Sequence, residues 1–181
     1  MSAFDDIRER LPEAAKDVKV NLQSVVATAG TLTPVQRYGT AVAVALAARR
    51  PDLAAAIAEL ARGEVGEEAI DDARAAASLM AMNNVYYRFR HIVGKPAYEQ
   101  KAPRLRMQRL AQPKTSKVDF ELFALAVSAV NNCEYCVRAH EKVVTEGGLT
   151  DEHVHEAVRI AAVVASAATA LDALATVKIA G

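Results

Sequence analysis

The stretch ELFALAVSAVNNCEYCVRAHE, residues 121–141, decides how this chain folds and what chemistry it carries. Ser116 and Asp119 form a capping-box pattern ahead of the apolar run FELFALAVSAV, which predicts a helix through residue 130. Asn131 and Asn132 are good N-cap residues, so a second helix is expected to start at them and to carry both cysteines of the chain. On that helix Cys133 and Cys136 are three apart and Cys136 and His140 four apart, so all three side chains can line one stripe. Glu121 precedes Cys133 by twelve residues, about 18 Å along one continuous helix and out of reach. A turn at the asparagines would fold the first helix back on the second and let Glu121 hold or protonate His140.

A cysteine at a helix N-terminus is chemically distinct from one elsewhere. Unpaired N–H groups and the helix dipole favour a thiolate there. A thiol with a pKa of about 8.5 is only ~3% ionised at pH 7, and lowering it to roughly 6.5 makes about three quarters thiolate. Cys136, one turn from His140, is the better placed for help from a base. A carboxylate that orients an imidazole beside a thiol is the pattern of an activated nucleophile. Plainer readings use the same residues. Free cysteines are among the most buried residue types, and both could simply be core. Zinc could take Cys133, Cys136 and His140 with His153, His155 or Glu121 as a fourth ligand, although the chain has no second Cys-x2-Cys. A structural disulfide would close too short a loop to restrain the unfolded chain much.

Outward from this segment the apolar spacing stays helical. Phe4, Ile7 and Leu11 step by three and four, as do Val18, Leu22 and Val25. Thr33-Pro34 opens a helix with an N-cap and a proline at the first helical position, Pro51 opens another, and Gly63 and Gly66 close it. A long helix is expected from about Glu67 to Ile92, stopping before Gly94 and Pro96; Gly147-Gly148 ends the cysteine helix and Thr150 caps the last one. No segment alternates with period two, so the fold class is all-α. A weak repeat at an offset of 85 residues pairs Gln36 with Glu121, and Glu67, Asp71 and Arg74 with Glu152, Glu156 and Arg159. It suggests one domain over 1–181 containing a duplicated helical unit, about 33–93 and 118–178, in which only the second copy carries cysteines.

Composition narrows the function. The chain has 181 residues, 22 basic and 22 acidic, so it offers no net charge to attract nucleic acid. The run Lys101, Arg104, Arg106 and Arg109 reads as a solvated helix face. The longest apolar run, 160–177, is mostly alanine, is interrupted by Asp172 and reads as a buried helix, not a membrane span. The first residues, MSAFDDIRERLPEA, lack an apolar signal core. A soluble, cytoplasmic protein is expected. At ~25 cal/mol per Å² an alanine-rich core stabilises modestly, which makes burial of further surface by oligomerisation plausible.

The unit Glu-x11-Cys-x2-Cys-x3-His resembles the motif of the alkyl hydroperoxidase D family, in the carboxymuconolactone decarboxylase-like superfamily. KDVKVNL (16–22) and MNNVYYR (82–88) extend the likeness over nearly the whole chain. The resemblance implies an antioxidant peroxidase with no bound cofactor or metal, in which Cys136 attacks a hydroperoxide and becomes a sulfenic acid. Cys133 would be its disulfide partner, with Glu121 and His140 as the proton relay. It also implies dihydrolipoamide on an acyltransferase as electron donor, a peroxiredoxin as electron acceptor, and a homotrimer. The family commonly has a second histidine immediately before the second cysteine. Tyr135 stands there instead, a phenol that can donate a hydrogen bond but does not shuttle protons near neutrality. The other functions in view are a lactone decarboxylase of the same superfamily, which needs no thiols, and a metal-binding or redox-sensing module.

Overall fold

Helix starts follow local chemistry. Thr33 accepts a hydrogen bond from the Gln36 N–H, the Gln36 side chain accepts one from the Thr33 N–H, and Pro34 takes the first helical position. At Ser116 only half of that arrangement forms. Its hydroxyl accepts from the Asp119 N–H at 3.0 Å, but the Asp119 carboxylate turns away and accepts from Gln36 Nε2 at 2.9 Å. The unused half of one cap thus ties the two helix starts together.

The structure, a computed structural model, describes residues 2–176, and for 173–176 only the backbone. Among these residues there are ten α-helices, one 3-10 turn and no strand, so the chain is all-α. In order they are α1 (Ala3–Glu9), α2 (Lys16–Ala27), α3 (Pro34–Ala47), α4 (Pro51–Leu60), α5 (Glu67–Val93), two single turns α6 (Pro96–Glu99) and α7 (Gln108–Ala111), then α8 (Lys117–Val130), α9 (Glu134–Glu146) and α10 (Asp151–Thr176). Gly94 and Gly148 stop α5 and α9 with positive φ, 58° and 99°.

The core is built on α3 and α8. Every residue from Gln36 to Ala45 and from Phe120 to Ser128 is buried. The two helices approach closely because Gly39 has no side chain: a Cβ there would sit 2.1 Å from the Phe123 ring. α5, α9 and α10 pack around this pair, with α4 against α3. By length and composition α10 could cross a membrane over residues 151–172. Its stripe Ala157, Ile160, Ala161, Val164, Ala167, Ala168 and Leu171 is buried against α2, α3 and α8, and Asp172 pairs with Arg50 at 2.5 Å.

Helices α3, α4 and α5 begin at residues 34, 51 and 67, and α8, α9 and α10 at 117, 134 and 151. The helix starts are therefore offset by 83, 83 and 84 residues, not by the 85 that residue matching picks out. Residues 177 and 178 of the expected second copy lie outside the described residues.

The basic run is not a helix face. Residues 101–107 are irregular chain, and only Arg109 lies on a helix, the single turn α7. Arg109 reaches back to Asp71 at 2.5 Å and to Asp72 at 2.7 Å. Asp72 is fully buried and also accepts from the backbone N–H groups of Lys114 and Thr115 and from the Thr115 hydroxyl. Sequence spacing cannot show this, because the partners stand some forty residues apart in the chain.

Candidate active site

The site starts at the end of α8. The last carbonyls of a helix lack intrahelical partners. Here Asn132 adopts φ 55°, its N–H donates to the Ala129 carbonyl at 3.1 Å, and the Cys133 N–H donates to the Ser128 carbonyl at 3.1 Å. This pair of bonds around a left-handed residue is a Schellman closure. The asparagines therefore do turn the chain, but they end α8 and do not cap α9 with their side chains. The N-cap of α9 is Cys133 itself, without a side-chain cap hydrogen bond, and Cys136 occupies the third helical position. The first-turn N–H groups of α9 have no intrahelical acceptor, and the positive end of the helix dipole lies beside both sulfurs.

Cys133 and Cys136 are joined in a disulfide, with Cα atoms 5.3 Å apart. Cys133 is fully buried and Cys136 is 4% exposed. One turn beyond, the buried His140 meets the buried Glu121 across the α8–α9 interface, Nδ1 to Oε2 at 2.5 Å. With Glu121 ionised, Nδ1 carries the proton and donates it, so Nε2 keeps the free lone pair. The turn brings together four residues, Glu121, Cys133, Cys136 and His140, that no single helix could.

Tyr135 is half exposed. Its ring stacks on Tyr87 of α5, centroids 5.6 Å apart and planes 14° apart. His91 Nε2 lies 3.5 Å from Glu134 Oε2. His153 accepts from the Thr150 N–H at the start of α10, and the exposed His155 lines a surface cavity between α2 and α10. Neither reaches the cysteines. Among the described residues no group of three or more His, Cys, Asp or Glu side chains is placed to hold a metal ion.

Comparison with known proteins places the chain in a family. The family model described as the carboxymuconolactone decarboxylase family matches residues 96–178, which include all four residues. A protein of Anaeromyxobacter dehalogenans (strain 2CP-C) named alkyl hydroperoxide reductase AhpD is 63% identical over 172 residues, 95% of this chain and 92% of its own length. The chain belongs to the AhpD family. AhpD proteins of Anaeromyxobacter sp. (strain Fw109-5) and Brucella canis are 59% and 46% identical, each aligned over more than nine tenths of both chains.

One set of site-building residues escaped the sequence reading. Asn84 of α5, 2% exposed, donates to the Ser128 hydroxyl at 2.9 Å, and its carbonyl oxygen accepts from Asn131 Nδ2 at 2.9 Å. Arg88, one turn on, donates to the Asn131 backbone carbonyl at 2.7 Å. These bonds clamp the turn just before Cys133. The signal was present in MNNVYYR: two amides in the middle of a helix demand partners. Asn84→Ala is expected to cost about 1–3 kcal/mol by leaving Ser128 and Asn131 unpaired. Urea unfolding measures the cost, and faster hydrogen exchange at the Asn132 and Cys133 amides locates it. Unchanged exchange there would show that the clamp does not hold the turn.

Proposed function

We propose that this protein is an antioxidant peroxidase that reduces alkyl hydroperoxides with a cysteine pair. The observation that carries the reading is a buried Glu121–His140 hydrogen bond one helical turn from a Cys-x2-Cys pair joined in a disulfide. The names of the AhpD relatives support the same activity.

In the reduced protein, Cys136 loses its proton to His140 Nε2, with Glu121 fixing the ring through Nδ1. The thiolate attacks one peroxide oxygen, the O–O bond breaks, and the alkoxide leaves as alcohol after taking a proton back through His140. Cys136 is now a sulfenic acid. The Cys133 thiol attacks that sulfur, water leaves, and the disulfide forms. A dithiol restores both thiols through a mixed disulfide, itself becoming a disulfide. The two electrons of the dithiol thus reduce one peroxide to alcohol and water.

The donor we assign is dihydrolipoamide carried on an acyltransferase, and the partner to which electrons can pass is a peroxiredoxin. The chain acts in the cytoplasm as a homotrimer of one-domain subunits, each built on a duplicated helical unit. The exposed stripe Val85, Phe89 and Ile92 along α5 supports association with other copies. Tyr135 contributes a phenol held by Tyr87 in place of the family's histidine.

The test supplies tert-butyl hydroperoxide and dihydrolipoamide to the purified protein and follows peroxide and alcohol. One alcohol per peroxide consumed is expected. No consumption by protein whose two thiols titrate as reduced would overturn the reading.

A further inference from the structure

The groove between α5 and α9 holds a cavity that neither the cysteines nor their proton relay uses. Tyr87, Arg90, His91, Glu99 and Tyr135 line about 310 Å³, enough for a small organic ligand. Two of its five lining residues are phenols: Tyr135 stacks on Tyr87, and behind them Tyr86 meets Tyr87 edge-on at 5.2 Å. The guanidinium of Arg90 lies 5.7 and 5.8 Å from the ring centroids of Tyr86 and Tyr87 and donates to the backbone carbonyl of Glu99.

This cation has no counter-ion among the described residues. Among the described residues no carboxylate oxygen comes within 4.0 Å of Arg90. Glu99 holds it through its backbone, and the nearby Glu134 pairs with His91 and Arg138. A half-buried guanidinium clamped over aromatic rings with free N–H donors is organised for a carboxylate. One wall of the cavity, Tyr135, belongs to the first turn of α9, the turn that also carries Cys136.

We propose that this cavity binds the carbon skeleton of the hydroperoxide, and that it selects flat skeletons bearing a carboxylate. The arene lies against Tyr87 and Tyr135 and the carboxylate pairs with Arg90, leaving the peroxide at the first turn of α9. Tyr135 then acts as a wall of the substrate site. The inference rests on the peroxidase reading above.

The experiment compares the para-carboxylate of cumene hydroperoxide with its methyl ester. In the wild type kcat/KM is expected to favour the carboxylate by about tenfold or more. The ratio should fall to near one in Arg90→Gln and to an intermediate value in Arg90→Lys, which keeps the charge but loses the fork. Both substrates are read on one preparation, so a general loss of folded protein lowers both and leaves the ratio. No carboxylate preference in the wild type, or a preference unmoved in Arg90→Gln, would overturn the proposal. Binding of the para-carboxylate of cumyl alcohol to the disulfide form, followed by NMR, separates the two readings. Tyr87 and Tyr135 resonances should shift, with affinity at least about tenfold weaker in Arg90→Gln. Binding through Arg90 without turnover of either peroxide upholds the site and sinks the peroxidase reading instead; no binding to the wild type overturns the site.

Discussion

Cys136→Ser is expected to end peroxide turnover, lowering it about a thousandfold or more, as loss of a covalent nucleophile does. Cys133→Ser should stop sustained turnover as well, but at a later step. Its single remaining thiol still reduces one peroxide and stops as a sulfenic acid, which dimedone traps and mass spectrometry counts at one per chain. The difference follows from position. Cys136 and His140 share a face of α9 one turn apart, and Cys136 retains slight exposure while Cys133 is fully buried. Cys133 is held at the N-cap by its own N–H bond to Ser128, 5.3 Å from Cys136 Cα to Cα, where it can close on an oxidised sulfur. Sustained turnover in Cys136→Ser, or a dimedone adduct on Cys133 in that variant, would assign the attack to the wrong thiol.

The second large effect concerns stability. Asp72→Ala is expected to destabilise the fold by about 3–5 kcal/mol, because it leaves two backbone N–H groups and the Thr115 hydroxyl without their acceptor at a buried site and takes from Arg109 one of its two carboxylates. The same carboxylate gives the protein an acid limb. Burial pushes the Asp72 carboxyl up, but its hydrogen bonds from Thr115, Lys114 and Arg109 outweigh burial and hold it below the ordinary 3.8. A group lowered in the folded state contributes stability that is complete above its unfolded value and is lost as pH falls through its folded one. Urea midpoints of the wild type should therefore drop below about pH 4, and Asp72→Ala should show a shallower drop from a lower plateau. A loss under about 1 kcal/mol at neutral pH would mean that the 104–116 segment is not held by this latch.

What was legible in the sequence was local. The caps at Thr33, the prolines opening α3 and α4, and the stops at Gly94 and Gly148 act within a turn of their own position, so residue type and spacing suffice to place them. The Cys133, Cys136 and His140 stripe was legible for the same reason, and Glu121 could be named once a turn at the asparagines was assumed. The capping box expected at Ser116 forms only by half, because Asp119 finds a partner on another helix, Gln36. The asparagines turn the chain as expected but do not cap α9, because both ends of a tight turn compete for them and the open carbonyls of α8 take the backbone N–H groups.

By itself, then, the sequence determined an all-α chain, the boundaries of its longer helices to within a few residues, and one stripe that carries Cys133, Cys136 and His140, since each depends on contacts three or four residues apart. Only the tertiary structure decided which α5 residues complete the site. Asn84 clamps the turn from forty-seven residues before Asn131, Tyr87 backs Tyr135, and Arg90 lines a cavity beside them. Those relations arise when α5 packs beside α9, and no spacing along the chain encodes them.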